Sequence, residues 1–346
     1  MSKAWETRLR NVNDWKSVLK ADPTEWLLER VNPSVRFFTL TDILEFSERN
    51  QEVRKTKGEI MKIGVVPKIL SKQKSAGNWE APENFYIRSK YKGTVWQLII
   101  LAELGADGRD QRITKACEFI LENSQDRESG GFSYLRAEAG GGWHNGVIPC
   151  LTGNMVWSLI RFGYLEDPRV QRGIDWIIRY QRFDDGTEEG PKGWPYDKRE
   201  KCWGKHTCHM GVVKALKALA EIPVNKRSQG VKNTIEKGAE YMLKHRVYKR
   251  SHDPSRVSKV SWLQFGFPLM WQTDVLEILG ILTKLGFKDR RMQEAADLVV
   301  SKQDDHGRWN LESTFNGRFQ VNIEEKGRPS RWITLNALKA LKSLYS

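Results

Sequence analysis

The chain has 346 residues, 39% of them apolar and 29% charged, with 14 tryptophans; that supplies a large core and excludes a disordered chain. Its 57 lysines and arginines against 43 acidic residues leave a net charge of +14, which favours anionic partners: phosphorylated small molecules, nucleic acid, or peripheral contact with an anionic membrane surface. The longest apolar run, Val95 to Leu104, is too short to span a bilayer, and the N-terminus has no apolar signal core, so a cytoplasmic protein is expected.

Six segments recur along the chain. Each opens an apolar helical pattern at a threonine, namely Thr41, Thr94, Thr152, Thr207, Thr273 and Thr334, with steps of 53, 58, 55, 66 and 61 residues. Threonine is a good N-cap, so each is expected to cap its helix. Between them lies a more charged set with helical spacing: 112–124, 167–181, 229–245 and 289–303. Asp167-Pro-Arg supplies a start with proline at the first helical position. No stretch alternates convincingly as a strand. The unit is a helix hairpin of about 58 residues. Six of them can close into an all-α ring, an (α/α)6 toroid with apolar helices inside and amphipathic ones outside; an open solenoid is the rival. Residues 1–34 read as an added helical arm and 35–346 as the toroid.

Two segments, Gln73-Lys-Ser-Ala-Gly-Asn-Trp79 and Gln303-Asp-Asp-His-Gly-Arg-Trp309, share the pattern Gln-x-x-x-Gly-x-Trp. The stretch Gln125 to Phe132 is a looser copy and Gln181 to Trp194 a stretched one. This pattern resembles the QW repeat of squalene–hopene and oxidosqualene cyclases. The helix pairs resemble the wider terpenoid cyclase and protein prenyltransferase superfamily over roughly residues 35–346. The resemblance implies a toroid in which Trp79 and Trp309 clamp helices together; fold alone does not fix activity.

Chemistry-bearing residues gather where the inner helices start. Cys202, His206, Cys208 and His209 fall within eight residues, and Cys150 enters the neighbouring helix. Thiolate and imidazole form a zinc ligand set, so Cys150, Cys202, Cys208 and His209 are the expected metal ligands, with His206 able to replace His209. Cys117 sits in a helical pattern and is expected to be a small buried hydrophobe. By resemblance, prenyltransferase β-subunits and lanthionine synthetase cyclases carry zinc on this rim, and Cys150 with Cys208-His209 is similar to the latter. The Asp-x-Asp-Asp acid motif of squalene-type cyclases is absent. Asp184-Asp185-Gly-Thr-Glu188 mimics a magnesium-binding motif of isoprenyl diphosphate enzymes, but it lies in a glycine-rich loop and a solvated turn is expected.

Asp274 is the best-placed lone acid, and with His206 it is the candidate catalytic group; its bland role is to complement a helix N-terminus. Cations collect in the loops before the inner helices. Arg88, Lys90, Lys92, Lys201, Lys205, Arg328 and Arg331 are expected to hold a diphosphate at the helix N-termini, and Trp96, Trp157 and Trp271 an isoprenoid tail. The leading reading is a zinc-containing toroid enzyme acting on a prenyl diphosphate, by prenyl transfer or cyclisation. Zinc-dependent thiol addition of the lanthionine type, and a non-catalytic zinc-stapled toroid binding an anionic ligand or partner, are the alternatives. No nucleic-acid module is legible.

Overall fold

The computed structural model describes residues 15–186, 189–204 and 206–346. The protein is mainly helical. In chain order the principal helices are α1 (Pro33–Phe38, continued by the turn Thr39–Ile43), α2 (Gln51–Ile60), α3 (Thr94–Glu103), α4 (Gln111–Asn123), α5 (Pro149–Arg161) and α6 (Pro168–Tyr180). They continue as α7 (His209–Ala220), α8 (Gln229–Lys244), α9 (Val275–Lys284), α10 (Gln293–Ser301) and α11 (Arg331–Tyr345).

Burial separates two sets. Helix α3 is buried from Thr94 to Ala102, and α5 and α7 are buried over most of their circumference. Helix α6 buries only Val170, Gly173, Ile174, Trp176 and Ile177, one stripe at helical spacing. The buried set packs in succession, α3 on α5, α5 on α7, α7 on α9, α9 on α11, and α11 on α1. The first five buried helices also pack on the amphipathic helix that follows each of them. Among the described residues no helix is long and apolar enough to cross a membrane.

The repeated threonines are not the helix caps. Side chains of Asn32, Asp110, Asp167, Ser228, Asp274 and Ser330 cap the helices they precede, while Thr152 and Thr334 lie inside the first turn of theirs. The hydroxyls of Thr94, Thr152 and Thr334 do a different job. Thr94 Oγ1 accepts the backbone N–H of Trp79 (3.2 Å), Thr152 that of Phe132 (2.9 Å) and Thr334 that of Trp309 (3.0 Å). Each of these donors is buried and has no water to turn to, so the hydroxyl satisfies it.

The glutamines and tryptophans of the same segments complete a clamp. Trp79 Nε1 donates to Ile69 O (2.9 Å) and Trp309 Nε1 to Val299 O (2.7 Å). Gln73 Nε2 donates to Gly77 O and Arg112 O, and Gln125 Nε2 to Gly130 O and Arg169 O, so each ties its loop to the first turn of the next outer helix. Gln303 Nε2 donates to Val18 O (3.1 Å), which places the short turn Trp15–Val18 where a further outer helix would stand. Gly77 has a φ of +90°, and a Cβ there would lie 2.6 Å from Lys115 O, so only glycine lets the clamp loop approach α4.

Three details depart from expectation. The break expected between residues 34 and 35 falls inside α1, whose cap is Asn32. One short antiparallel pair exists, β1 (Trp309–Asn310) on β2 (Pro329–Ser330). The last outer helix is divided, a turn at Arg290–Met292 preceding α10.

Thr334→Val keeps the shape of the side chain but strands the buried N–H of Trp309. It should lower stability by about 1–3 kcal/mol, read as a drop in the midpoint of urea unfolding. A loss below a few tenths would mean that the hydroxyl does not hold the loop.

Candidate functional site

The inner helices surround a cavity of about 550 Å³. Its wall carries Phe38, Trp157, Phe267, Leu276, Ile281, Trp332 and Leu335. Phe267 and Trp332 stack at 4.4 Å with an 8° interplanar angle, and Phe38 lies 6.2 Å from Trp332.

Asp274 also lines the cavity and is 2% exposed. It caps α9. Its Oδ1 accepts the N–H of Glu277 (2.8 Å) and its Oδ2 the N–H of Gly266 (2.8 Å), which prevents the carboxyl from rotating. Burial pushes its pKa up to about 7, against those two hydrogen bonds. A carboxyl with that value exists in both protonation states near neutrality, as a general acid requires.

Next to it is a buried ion network. Lys214 Nζ donates to both carboxylate oxygens of Glu277 at 2.7 Å, and Lys217 Nζ reaches the same Glu277 (3.0 Å) and Glu103. Burial alone would raise Glu277, but the two ammonium groups outweigh it and bring the carboxylate to about 2. Lys217 also lies 4.2 Å over the Trp157 ring. The indole Nε1 of Trp157 donates to Glu221 (3.1 Å), which pairs with Lys284 at 2.6 Å and Arg161 at 4.0 Å. Lys339 pairs with Asp42 at 2.6 Å.

Arg161, Glu221, Lys284 and Lys339 lie in the carboxyl-terminal halves or at the ends of α5, α7, α9 and α11, whereas Asp274, Glu277 and Trp332 lie at the amino-terminal ends of α9 and α11. The more exposed charges of the lining, Lys284 and Lys339, therefore mark a mouth at the rim opposite the cation-rich loops. Of the expected substrate residues, only Trp157 lines the cavity. Arg88, Lys90, Lys92 and Arg328 are exposed loop residues elsewhere, Lys201 is exposed on the short helical turn Glu200–Trp203, and Lys205 lies outside the described residues. Arg331 is occupied by Trp26 O and Glu29. Trp96 is packed against Tyr86 (4.6 Å) and donates to its carbonyl. Trp271 lies beneath Lys90 and Lys259.

His206 does not join Asp274. It is exposed, with Nδ1 3.3 Å from Asp185 O. Asp184 is held by Arg182 and Thr207, and Asp185 faces His245 and His252. Both carboxylates are thus engaged by the protein's own groups, and Glu188 lies outside the described residues.

Cys150, Cys202 and Cys208 lie near enough that ionised Cys208 and Cys202 would raise Cys150, and ionised Cys208 would raise Cys202. Burial is the larger effect and pushes all three thiols up, Cys202 to about 12, so they are neutral thiols and not reactive thiolates. His209 is packed among Tyr241, His245 and Trp262, with ring centroids at 5.4, 4.9 and 4.4 Å. Among the described residues no grouping of three or more His, Cys, Asp or Glu side chains could hold a metal ion. As folded, the expected four-residue set does not present a zinc site. Cys117 is a buried hydrophobe.

The residues that sequence reasoning missed are Lys214, Lys217, Glu277 and Glu103. Their signal was present as charges set inside otherwise apolar helices, such as Val213-Lys-Ala-Leu-Lys217; a charge there must face either a partner or a cavity.

No family model matches the chain, and no curated protein matches it. Among solved structures it is similar to the type II terpene cyclase MstE from Scytonema. An arginine-to-alanine variant of that protein, in complex with geranylgeranyl dihydroxybenzoate, is 13% identical with a TM-score of 0.39, covering 99% of this chain and 99% of that one. The apo form gives 13% identity and a TM-score of 0.39, covering 97% of each chain.

Proposed function

We propose that the protein is a closed (α/α)6 toroid running from α1 to α11, with the segment before Asn32 as an arm, and that it cyclises an isoprenoid by protonating it. Asp274 is the proton donor. The observation that carries this is its anchored, protonatable carboxyl on the wall of an aromatic-lined cavity. A terminal carbon–carbon double bond placed against it would accept the proton and leave a tertiary cation. The faces of Trp157, Phe267 and Trp332 would stabilise that charge as it moves along the folded chain. Beside Asp274, Glu277 and Glu103 are matched by Lys214 and Lys217, and the two ammonium groups hold Glu277 ionised. The aromatic wall limits capture of the cation by water; the last cation releases a proton from a neighbouring carbon to form a new double bond, and the Asp274 carboxylate regains a proton from solvent. No metal enters these steps, and zinc on the cysteine rim is no part of them.

The test is turnover in heavy water with isoprenoid acids, alcohols and diphosphates, read by mass spectrometry. The expected result is a cyclised product carrying one non-exchangeable deuterium. Product without deuterium, or with released diphosphate, would point to ionisation and remove Asp274 from its role. Saturable binding without product would favour a carrier.

A further inference from the structure

The charged groups around the cavity fall into two tiers by depth. The deep tier is Asp274, Glu277, Lys214 and Lys217, with side chains at most 10% exposed where they pair, and Glu103 beside them. Its two ammonium groups and the carboxylates of Glu277 and Glu103 cancel when Asp274 is protonated. The outer tier is Arg161, Lys284, Lys339, Asp42 and Glu221, with the cations 28%, 49% and 40% exposed. Among the described lining residues that tier sets three cations against two carboxylates.

The two carboxylates are committed. Burial would raise both, but Lys284 and Arg161 bring Glu221 to about 2, and Lys339 with Arg161 lowers Asp42. Lys284 and Lys339 each hold a carboxylate at 2.6 Å. Arg161 is the most loosely held of the three: it stands 4.0 Å from Glu221, which Lys284 already holds at 2.6 Å, and 5.4 Å over the Phe38 ring. A guanidinium offers a planar fork of donors that matches a carboxylate.

On the strength of the isoprenoid reading, we propose that the substrate is an isoprenoid acid: one carboxylate at the end opposite the protonated double bond, seated on Arg161 at the mouth. A single negative charge neutralises the outer tier and leaves the cavity neutral with Asp274 protonated. A diphosphate does not fit that balance. It would bring two or three negative charges against one surplus cation and leave one or two unmatched, and the carboxyl ends of α5, α9 and α11 at this mouth disfavour them further. Among the described residues no grouping for a compensating divalent ion exists.

The experiment is binding of farnesoic acid, farnesol, farnesylamine and farnesyl diphosphate, which share one tail, read by quenching of tryptophan fluorescence. The acid should bind about tenfold or more tighter than each of the others, as one charge-assisted bidentate contact predicts. Arg161→Gln should erase that advantage with farnesol binding unchanged, and Arg161→Lys, which keeps the charge without the fork, should recover only part of it. Circular dichroism confirms that both variants are folded. Equal or tighter binding of the alcohol, amine or diphosphate, or an acid advantage that survives Arg161→Gln, overturns the head-group assignment alone. If none of the four binds, the isoprenoid reading falls and the assignment with it.

Discussion

Asp274→Asn should cut turnover of an accepted isoprenoid by about 10²–10⁴-fold, the usual worth of a positioned general acid, while tail binding stays within a few-fold. Asparagine is nearly isosteric and still caps a helix, so α9 should keep its start. The wild-type pH profile is the sharper test. Asp274 must be protonated to act and its pKa is raised to about 7, so kcat/KM should be flat in mild acid and fall as pH rises through about 7. The same shift acts on stability. The folded protein holds this proton more tightly than the unfolded chain, whose aspartate titrates near 3.8. Asp274 therefore contributes stability below the unfolded value and loses it as pH rises from there through about 7. Asp274→Asn should flatten that slope. A variant that turns over normally, or a wild-type profile that rises through pH 7, would end its role as the acid.

Glu277→Gln should be the most destabilising single change at the site. It leaves Lys214, whose side chain is fully buried, without its carboxylate, and breaking such a pair costs about 3–5 kcal/mol. Lys214 would then shed its proton to stay buried. Burial already pulls its pKa down even with Glu277 present, and in the variant the folded value drops further below the unfolded one. Stability of the variant should thus recover as pH rises and worsen as pH falls. The double change Glu277→Leu with Lys214→Met removes both charges and should regain most of the loss, since a well-packed apolar pair replaces a buried ion pair at little cost. Urea midpoints for the single and double variants across pH decide the matter. A single variant within about 1 kcal/mol of wild type would mean that the ammonium finds another partner, with Glu103 the first candidate through Lys217.

Both changes lie at positions that differ in how openly the sequence announces them. Asp274 stands alone before an apolar run, so its place at a helix start is readable, and α9 does begin at Val275 behind it. Its elevated pKa is not readable, because that depends on Gly266 and on the burial that the surrounding helices create. The threonines show a subtler miss. Their recurrence is real, but capping was the wrong chemistry: for Thr94, Thr152 and Thr334 the partners are backbone N–H groups of residues 15 to 25 positions earlier in the chain. The cysteine stretch is a different case. Cys150, Cys202 and Cys208 lie within electrostatic reach of one another, and His209 packs among Tyr241, His245 and Trp262, which no spacing within residues 202–209 could reveal.

By itself the sequence determined the helical class, the hairpin unit and which helices are buried. Those follow from local periodicity and from the contrast between all-apolar and one-striped helices, and each needs only a window of one or two turns. The clamp segments were legible for the same reason, since glutamine, glycine and tryptophan act within a few residues of one another. Only the tertiary structure decided where the cavity opens, which cations remain unmatched and which carboxyl keeps its proton. Those properties arise from charges far apart in the chain, such as Glu103, Lys217 and Glu277 on three different helices, and their energies depend on desolvation that exists only once the helices have packed.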